Sequence, residues 1–312
     1  MAVSLTHPDK VLWPERGLTK ADLAAYYEAA APRLLPHLRD RPVTLKRFNH
    51  GVAGEGFFQK NLPASTPRAV RRFAAWTESS NRVVTYALID DADALRWCAQ
   101  SNALELHTWF SRVDQPERPD ICAFDLDPAR AGQDVRQAAF DVRAVLTELG
   151  LDALVKTSGK RGLHVYVPIE RRYEFDEVRA FTLGVARLVS ERRPDTYTVE
   201  MRKADREGRL LIDWSRSGPA QTLVAAWSPR ATPTATVSTP LSWDELAEGV
   251  DPASLTLPGV LERPDPWAGD PVPPQRLERA AAGLRDAGIA LEVISPRART
   301  SAPRTRRSVD LG

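Results

Sequence analysis

The sequence predicts an α+β protein, with neighbouring strands forming sheet and long helices packed on it. Strand-like runs follow one another with little between them: ALVKTSGKRGLHVYVPI (153–169) reads as two strands around a glycine-containing turn, and YTVEM, RLLIDW and QTLVAAW succeed each other over 197–227. Between these groups, 133–149 and 174–192 carry apolar residues at helical spacing. Grouped strands with helices between the groups point to an α+β sheet.

In chain order, Thr19 caps a first helix, with Asp22 three residues into it and Leu23, Tyr26, Tyr27 and Ala30 on its apolar side. RPVTLKRF (41–48) reads as a strand and is followed by the glycine-broken NHGVAGEGFFQKNLP. NRVVTYALI (81–89) and ALELHTWF (103–110) are strand-like and flank a helix starting near Asp91. ICAFDLD (121–127) is a strand; in the helix after it Val135, Ala138, Val142, Val145 and Leu149 keep the 3.6-residue period, and Gly150 supplies the stop. SWDE (242–245) resembles a capping box opening a short helix, and a last helix is predicted over 274–287. From Arg297 the chain becomes RARTSAPRTRRSVDLG, basic and poor in apolar residues, so 296–312 is expected to be a flexible tail.

Apolar content of 43% and charged content of 27% over 312 residues are those of an ordinary globular protein. The net charge of +2 says little; only seven of 43 basic residues are lysine, as a genome-wide composition bias would produce, so local clusters carry more information than the sum. Cys98 and Cys122 match no zinc spacing and no disulfide framework, which suits a reducing cytosol. MAVSLTHPDK lacks the apolar stretch of a signal peptide and no run is long enough to cross a bilayer, so a cytoplasmic protein without a membrane partner is expected.

Chemistry concentrates in three short stretches. Alternation in ICAFDLD puts Phe124 and Leu126 on one face and Ala123, Asp125 and Asp127 on the other; in RLLIDWS, Leu210, Ile212 and Trp214 share a face that leaves Asp213 opposite. If these strands are neighbours, three carboxylates gather on one surface. Hard divalent ions prefer such oxygen ligands, and a pair about 3.5–4 Å apart drives in-line phosphoryl transfer. The competing reading has Asp127 capping a turn before Pro128 and Asp125 pairing with an arginine. In KTSGKRGLH, Ser158, Gly159, Lys160, Arg161 and Gly162 offer turned amides and positive charge to an anion, and His164 opens the next strand. The alternative there is an ordinary hairpin with a solvated basic tip and a structural histidine.

FDLDP, TSGKRGLHVYVPI and LLIDWS, in this order and spacing, resemble the polymerase domain of bacterial ligase D, of the archaeo-eukaryotic primase superfamily acting in non-homologous end joining. The likeness runs from HPDKVLWP to about residue 265. It implies a primase-polymerase type α+β fold: an RRM-like catalytic sheet with a second α/β layer, here a single catalytic domain over 1–295 with an N-terminal α/β layer (about 1–110), the catalytic sheet (about 111–240) and a C-terminal helical part (about 241–295). The ligase and phosphoesterase modules find no room, so a free-standing form is expected. By resemblance Asp125, Asp127 and Asp213 hold two Mn²⁺ or Mg²⁺ ions. Ser158 and His164, with the loop Gly159, Lys160, Arg161 and Gly162, bind the nucleotide's triphosphate, and His107 lies near the ribose, which implies a preference for ribonucleotides. Lys10 and Lys20 grip a downstream 5′-phosphate, and Phe57 and Phe58 stack on template bases, an interaction worth about 1–3 kcal/mol per base. Lys46, Arg47 and Lys60 extend that surface; Arg206 matches a further basic position on the DNA side, and Arg230, with Arg216, joins the residues implied to bind the nucleotide. Without the resemblance, core burial for Phe57 and Phe58 and solvent exposure for Lys10 and Lys20 are the plainer readings.

The implied partners are DNA with 5′-phosphorylated gaps or ends, ribo- or deoxyribonucleoside triphosphates, the Ku end-binding protein and a separate DNA ligase, in a nucleoid-associated setting. The sequence also departs from the family: Arg216 and Ser217 stand where it has Gln and Asn, and Gln221 replaces a lysine. A lost hydrogen bond to a charged group costs roughly 1.5–3 kcal/mol, so nucleotide binding should weaken unless Arg216 compensates. The leading expectation is a template-dependent nucleotidyltransferase for gap filling and end extension. Alternatives are a DNA end-binding module with weakened or lost synthesis and a primer-independent primase. A metal-dependent nuclease would leave the Ser158–His164 loop without a purpose.

Overall fold

The structure, a computed structural model, describes residues 3–77, 81–128, 130, 132–294, 306–309 and 311. Two six-stranded sheets dominate the described residues. The first runs Tyr197–Thr198, Leu210–Asp213, Ile121–Asp127, Leu163–Pro168, Leu154–Thr157, Pro240–Leu241, antiparallel except for its first pair. Its two-residue alternation separates two surfaces. Phe124, Leu126, Val165 and Ile212 belong to the large core, with Val142, Val145, Phe181 and Val185 of the helices Val135–Glu148 and Phe175–Arg192. Ala123 and Tyr166, out of phase with them, pack instead with Phe110 and Leu223 of the other layer.

The second sheet runs Leu223–Val224, Ala103–Thr108, Pro42–Arg47, Arg82–Leu88, Arg71–Thr77, with Phe57–Gln59 also paired to Pro42–Arg47. The helices Lys20–Leu38 and Ala92–Gln100 pack on each other, with Ala92–Gln100 against the Ala103–Thr108 strand. Each begins where the sequence predicts. Thr19 and Asp22 form a reciprocal capping box, and the Asp91 carboxylate accepts from the Ala94 amide. Such caps hold helix-terminal amides that no intrahelical carbonyl reaches. Ser242 and Glu245 form the capping box of Trp243–Glu248.

Several expectations need correction. Leu223–Val224, assigned from sequence to the catalytic sheet, pairs with His107 and Thr108 and so closes the edge of the other layer, while Pro240–Leu241 joins the catalytic sheet. The last helix is Glu278–Asp286, shorter than 274–287, and the 241–295 region holds as much irregular chain as helix. The expected flexible tail is structured in part: Arg306–Ser308 pair antiparallel with Glu292–Ile294, the Val309 amide bonds Leu291 O, and Leu311 is buried in the core. Leu311 and the partly buried Val309 pack on the core; the rest of 296–312 lies outside the described residues. Arg71–Thr77 and Phe57–Gln59 form strands that the sequence does not announce. Arg71 is held by ion pairs to Asp40 and Asp90, contacts that exist only once the layer is assembled.

Candidate active site

The register aligns the acidic residues. Asp125 sits opposite His164 on one neighbouring strand and opposite Asp213 on the other, and His164 in turn sits opposite Lys156. A row Lys156–His164–Asp125–Asp213 therefore crosses four strands on the face away from the helices. Asp125 and Asp213 are 6% and 5% exposed; Asp127, two residues beyond Asp125 on the same face, is exposed at the strand's end. Burial pushes the Asp125 carboxyl up, against the pull of Arg216, Lys156 and Arg230. Burial and then the charge of Asp125 push Asp127 up as well.

Carboxylates this close need a positive partner, and the structure supplies Arg216. Its Nε lies 3.1 Å from Asp213 Oδ2 and 3.3 Å from Asp125 Oδ2, at ion-pair distance but without hydrogen-bond alignment. The arginine partner weighed for Asp125 from the sequence is thus present. The other Asp213 oxygen accepts from Ser215 N at 2.9 Å and Ser215 Oγ at 2.6 Å, a local turn that fixes the carboxylate's orientation. His164 Nε2 is 3.4 Å from Asp125 Oδ1, and its buried Nδ1 has no hydrogen-bond partner among the described residues. Burial, reinforced by Lys156 and other cations, holds this imidazole neutral, its pKa well below the usual value.

The donor set is chemically suited to hard divalent cations: carboxylate oxygens on one face, two of them largely withdrawn from water. In the present geometry, no three His, Cys, Asp or Glu side chains among the described residues surround a common point as ligands. The space between Asp125 and Asp213 holds a guanidinium. The donor set fits such ions by its chemistry, with Arg216 standing at two of the three carboxylates in this structure.

Asp125, Asp127, His164 and Arg216 open into one cavity of about 330 Å³, shared with Ser158 and Lys160 of the glycine-containing loop, with Arg230, and with His107, Phe58 and Lys60 from the other layer. Ser158 Oγ accepts from the Lys160 and Gly162 amides (3.2 and 3.1 Å), so the hydroxyl shapes its own turn. Gly159 adopts a positive φ of 68°, and a Cβ there would lie 2.5 Å from Arg230 Cγ. Gly162 is required by a close approach: a Cβ would collide with Asp127 Oδ1 and lie 2.7 Å from Leu126 O. Arg161 is separated from this set. It lines a different cleft with Arg130 and Arg136, because the turn that directs Lys160 into the cavity carries the next residue outward.

Two residues of this neighbourhood were not singled out from sequence. Glu105 is fully buried; its Oε2 meets His107 Nε2 at 2.9 Å, its Oε1 accepts from Ala231 N at 3.1 Å, and Arg230 Nε and Lys46 Nζ stand 3.5 and 3.9 Å away. Burial pushes this carboxyl up, but the His107 bond and the charges of Arg230 and Lys46 prevail and bring it down to about 2. Lys156, wholly buried, donates to Ser238 Oγ at 2.5 Å, and burial pushes its pKa well below the usual range. The signal was available: in ALELH and LVKT a charged residue interrupts an apolar strand, the reasoning that found Asp213.

The residues expected from the resemblance to face DNA fall into two groups. Lys10 and Lys20 line one pocket of about 570 Å³ with Thr6, His7, Asp9, Gln100 and Asn102. Lys20 is only 3% exposed, contrary to plain solvation, and its Nζ donates to Thr6 O at 3.0 Å; Lys10 bonds Asn49 O. Burial, then the charges of Lys10 and Arg47, lower the Lys20 pKa. Phe57 and Phe58 are 43% and 56% exposed, which excludes core burial. Lys46 lies over the Phe58 ring at 5.3 Å and Arg47 over Phe57 at 5.5 Å; Phe58 meets His107 edge-on. Arg47 also donates to Ser101 O and Gln59 Oε1. Arg206 belongs to neither group: it braces its own loop through the Glu200 and Met201 carbonyls.

Comparison with known proteins fits this geometry. Residues 19–272 match the family model of the LigD primase-polymerase domain. The multifunctional non-homologous end joining protein LigD of Mycolicibacterium smegmatis is 37% identical over 277 residues, taking in 87% of this chain and 36% of the relative. The bifunctional LigD of Bacillus subtilis is 30% identical over 264 residues, 84% of this chain and 42% of that protein. The chain thus spans between a third and a half of the length of these relatives. The solved polymerase domain of Mycobacterium tuberculosis ligase D in complex with DNA superposes with a TM-score of 0.77 at 35% identity, covering 90% of this chain and 98% of that one. The chain belongs to the LigD primase-polymerase domain family, nucleotidyltransferases of the primase-polymerase fold.

Proposed function

We propose that this protein is a template-dependent nucleotidyltransferase that fills gaps and extends 3′ ends in double-strand break repair by non-homologous end joining. The observation that carries the reading is the register placing Asp125 directly against Asp213, with Asp127 on the same face and a polyphosphate-sized basic cavity beside them. Asp125, Asp127 and Asp213 would hold Mn²⁺ or Mg²⁺. Bound there, such ions would lower the pKa of a primer 3′-hydroxyl and steady the pyrophosphate leaving group.

The chain's own residues do the rest. Arg230 and Lys160 supply positive charge for the triphosphate, with Ser158 and Gly159 shaping the wall beside them. His107, fixed by Glu105 and kept neutral by burial, faces the same cavity and suits contact with the ribose, which supports ribonucleotide use. Lys10 and Lys20, sharing one pocket, form a phosphate grip, so a 5′-phosphorylated downstream end is the expected DNA partner. Phe57 and Phe58 offer rings to template bases without demanding a sequence. Ku and a separate ligase are partners this role would require.

A second reading, a DNA end-binding module with weakened synthesis, is favoured by the placement of Arg216 between the aspartates. Primer extension on a 5′-phosphorylated gapped duplex, with Mn²⁺ and ribo- or deoxyribonucleotides in turn, separates the two. Addition of the templated nucleotide is expected. Tight gap binding without any addition would leave only the binding module, and a template copied without primer would make the protein a primase.

A further inference from the structure

Arg216 is the cation that stands at ion-pair distance from both Asp125 and Asp213. We propose that Arg216 is a tethered counter-ion that closes the carboxylate site to divalent metal in the absence of nucleotide and transfers to the nucleotide's phosphates when these arrive. Metal binding is thereby made conditional on nucleotide binding. The inference rests on the two-metal reading above and adds to it an order of events and the residue that enforces it.

The geometry supports each half of the exchange. One guanidinium nitrogen contacts an oxygen of each aspartate at 3.1 and 3.3 Å, so the guanidinium and a bridging ion exclude one another from that space. The contact is mainly one of charge, since the Nε–H is aligned for a hydrogen bond on neither oxygen. Ser215 holds the opposite oxygen of Asp213, so the carboxylate keeps its orientation if the arginine departs. Arg216 also has somewhere to go. Its side chain is 37% exposed, and it lines the same cavity as Lys160 and Arg230.

A triphosphate entering that cavity presents several negative oxygens, which accept from guanidinium in paired, charge-assisted bonds, a better partner than two misaligned carboxylate contacts. Gln221, which also lines the cavity, brings no charge of its own, so the phosphates gain a cation that the carboxylates give up. The released acidic pair then needs a new positive partner, and a divalent ion supplies it. By linkage the coupling is reciprocal: metal must tighten nucleotide binding as much as nucleotide tightens metal.

The test measures free Mn²⁺ by electron paramagnetic resonance in titrations of the wild type, Arg216→Gln and Arg216→Lys. Each is run alone and with a non-hydrolysable nucleoside triphosphate, subtracting the Mn²⁺ that nucleotide holds in buffer. Alone, the wild type is expected to bind Mn²⁺ about tenfold more weakly than Arg216→Gln, the size of a displaced, partly exposed ion pair. Arg216→Lys, which keeps the charge, should remain weaker than Arg216→Gln. With nucleotide, the wild type should rise to within about threefold of Arg216→Gln. Equal affinity of wild type and Arg216→Gln without nucleotide would overturn the counter-ion role and leave the metal site standing. No bound Mn²⁺ in any variant, with or without nucleotide, would remove the metal reading and this inference together.

Discussion

Glu105→Gln removes the one carboxylate that Arg230, Lys46 and His107 share, and its cost can be worked from the structure. The Glu105 carboxyl is held at about 2, against an ordinary 4.5, with 1% of the side chain exposed, so solvent screening removes little of the effect. At about 1.4 kcal/mol per pH unit, that depression corresponds to about 3 kcal/mol of stability. Breaking a buried ion pair by deleting one partner costs about 3–5 kcal/mol, an independent figure of the same size. The pKa is depressed on folding, so the contribution is complete above 4.5 and is lost as pH falls toward 2. Urea unfolding at pH 7 should therefore show Glu105→Gln less stable by about 3 kcal/mol, and the gap should shrink to roughly half at pH 3. Nucleotide affinity should fall by one to two decades, since Arg230 and His107 lose the group that orients them. A gap below about 1 kcal/mol at pH 7, or one that does not narrow in acid, would refute this stabilising role of Glu105.

Asp125→Asn should abolish extension yet raise the melting temperature, because a carboxyl whose pKa is raised on folding costs stability at neutral pH; a lowered melting temperature would show that Asp125 is fully compensated. Lys10→Ala with Lys20→Ala should lose about 10–100-fold of the preference for a 5′-phosphorylated over an unphosphorylated gap in a fluorescence-anisotropy titration, while open-template extension continues; an unchanged preference would exclude this pocket as the phosphate grip. Gly162→Ala should displace Asp127, costing about 1–3 kcal/mol in stability and slowing single-turnover addition; wild-type behaviour in both would show that the turn yields.

The amino-acid sequence by itself determined the long helices, the strands that carry the site and the chemical types of its residues, though not the strands Phe57–Gln59, Arg71–Thr77 and Arg306–Ser308. Caps at Thr19, Asp91 and Ser242, periodicity in the two long helices and alternation in ICAFDLD and RLLIDW are local signals, and local physics reads them wherever the segment ends up. Alternation sets Asp125 and Asp127 opposite Phe124 and Leu126, and Asp213 opposite Ile212. It does not say which strands are neighbours. Pairing is a long-range choice, and only the assembled sheet decided that Asp125 faces Asp213 across a ladder, that Leu223–Val224 crosses to the other layer and that Arg306–Ser308 return to pair. Glu105 and Lys156 were visible as charges in apolar strands, but their partners Arg230 and Ser238 lie 125 and 82 residues away in sequence. The same limit hid Arg161's departure from the cavity and the lodging of Arg216 between two aspartates, because a side chain's electrostatic partner is fixed by packing and not by spacing.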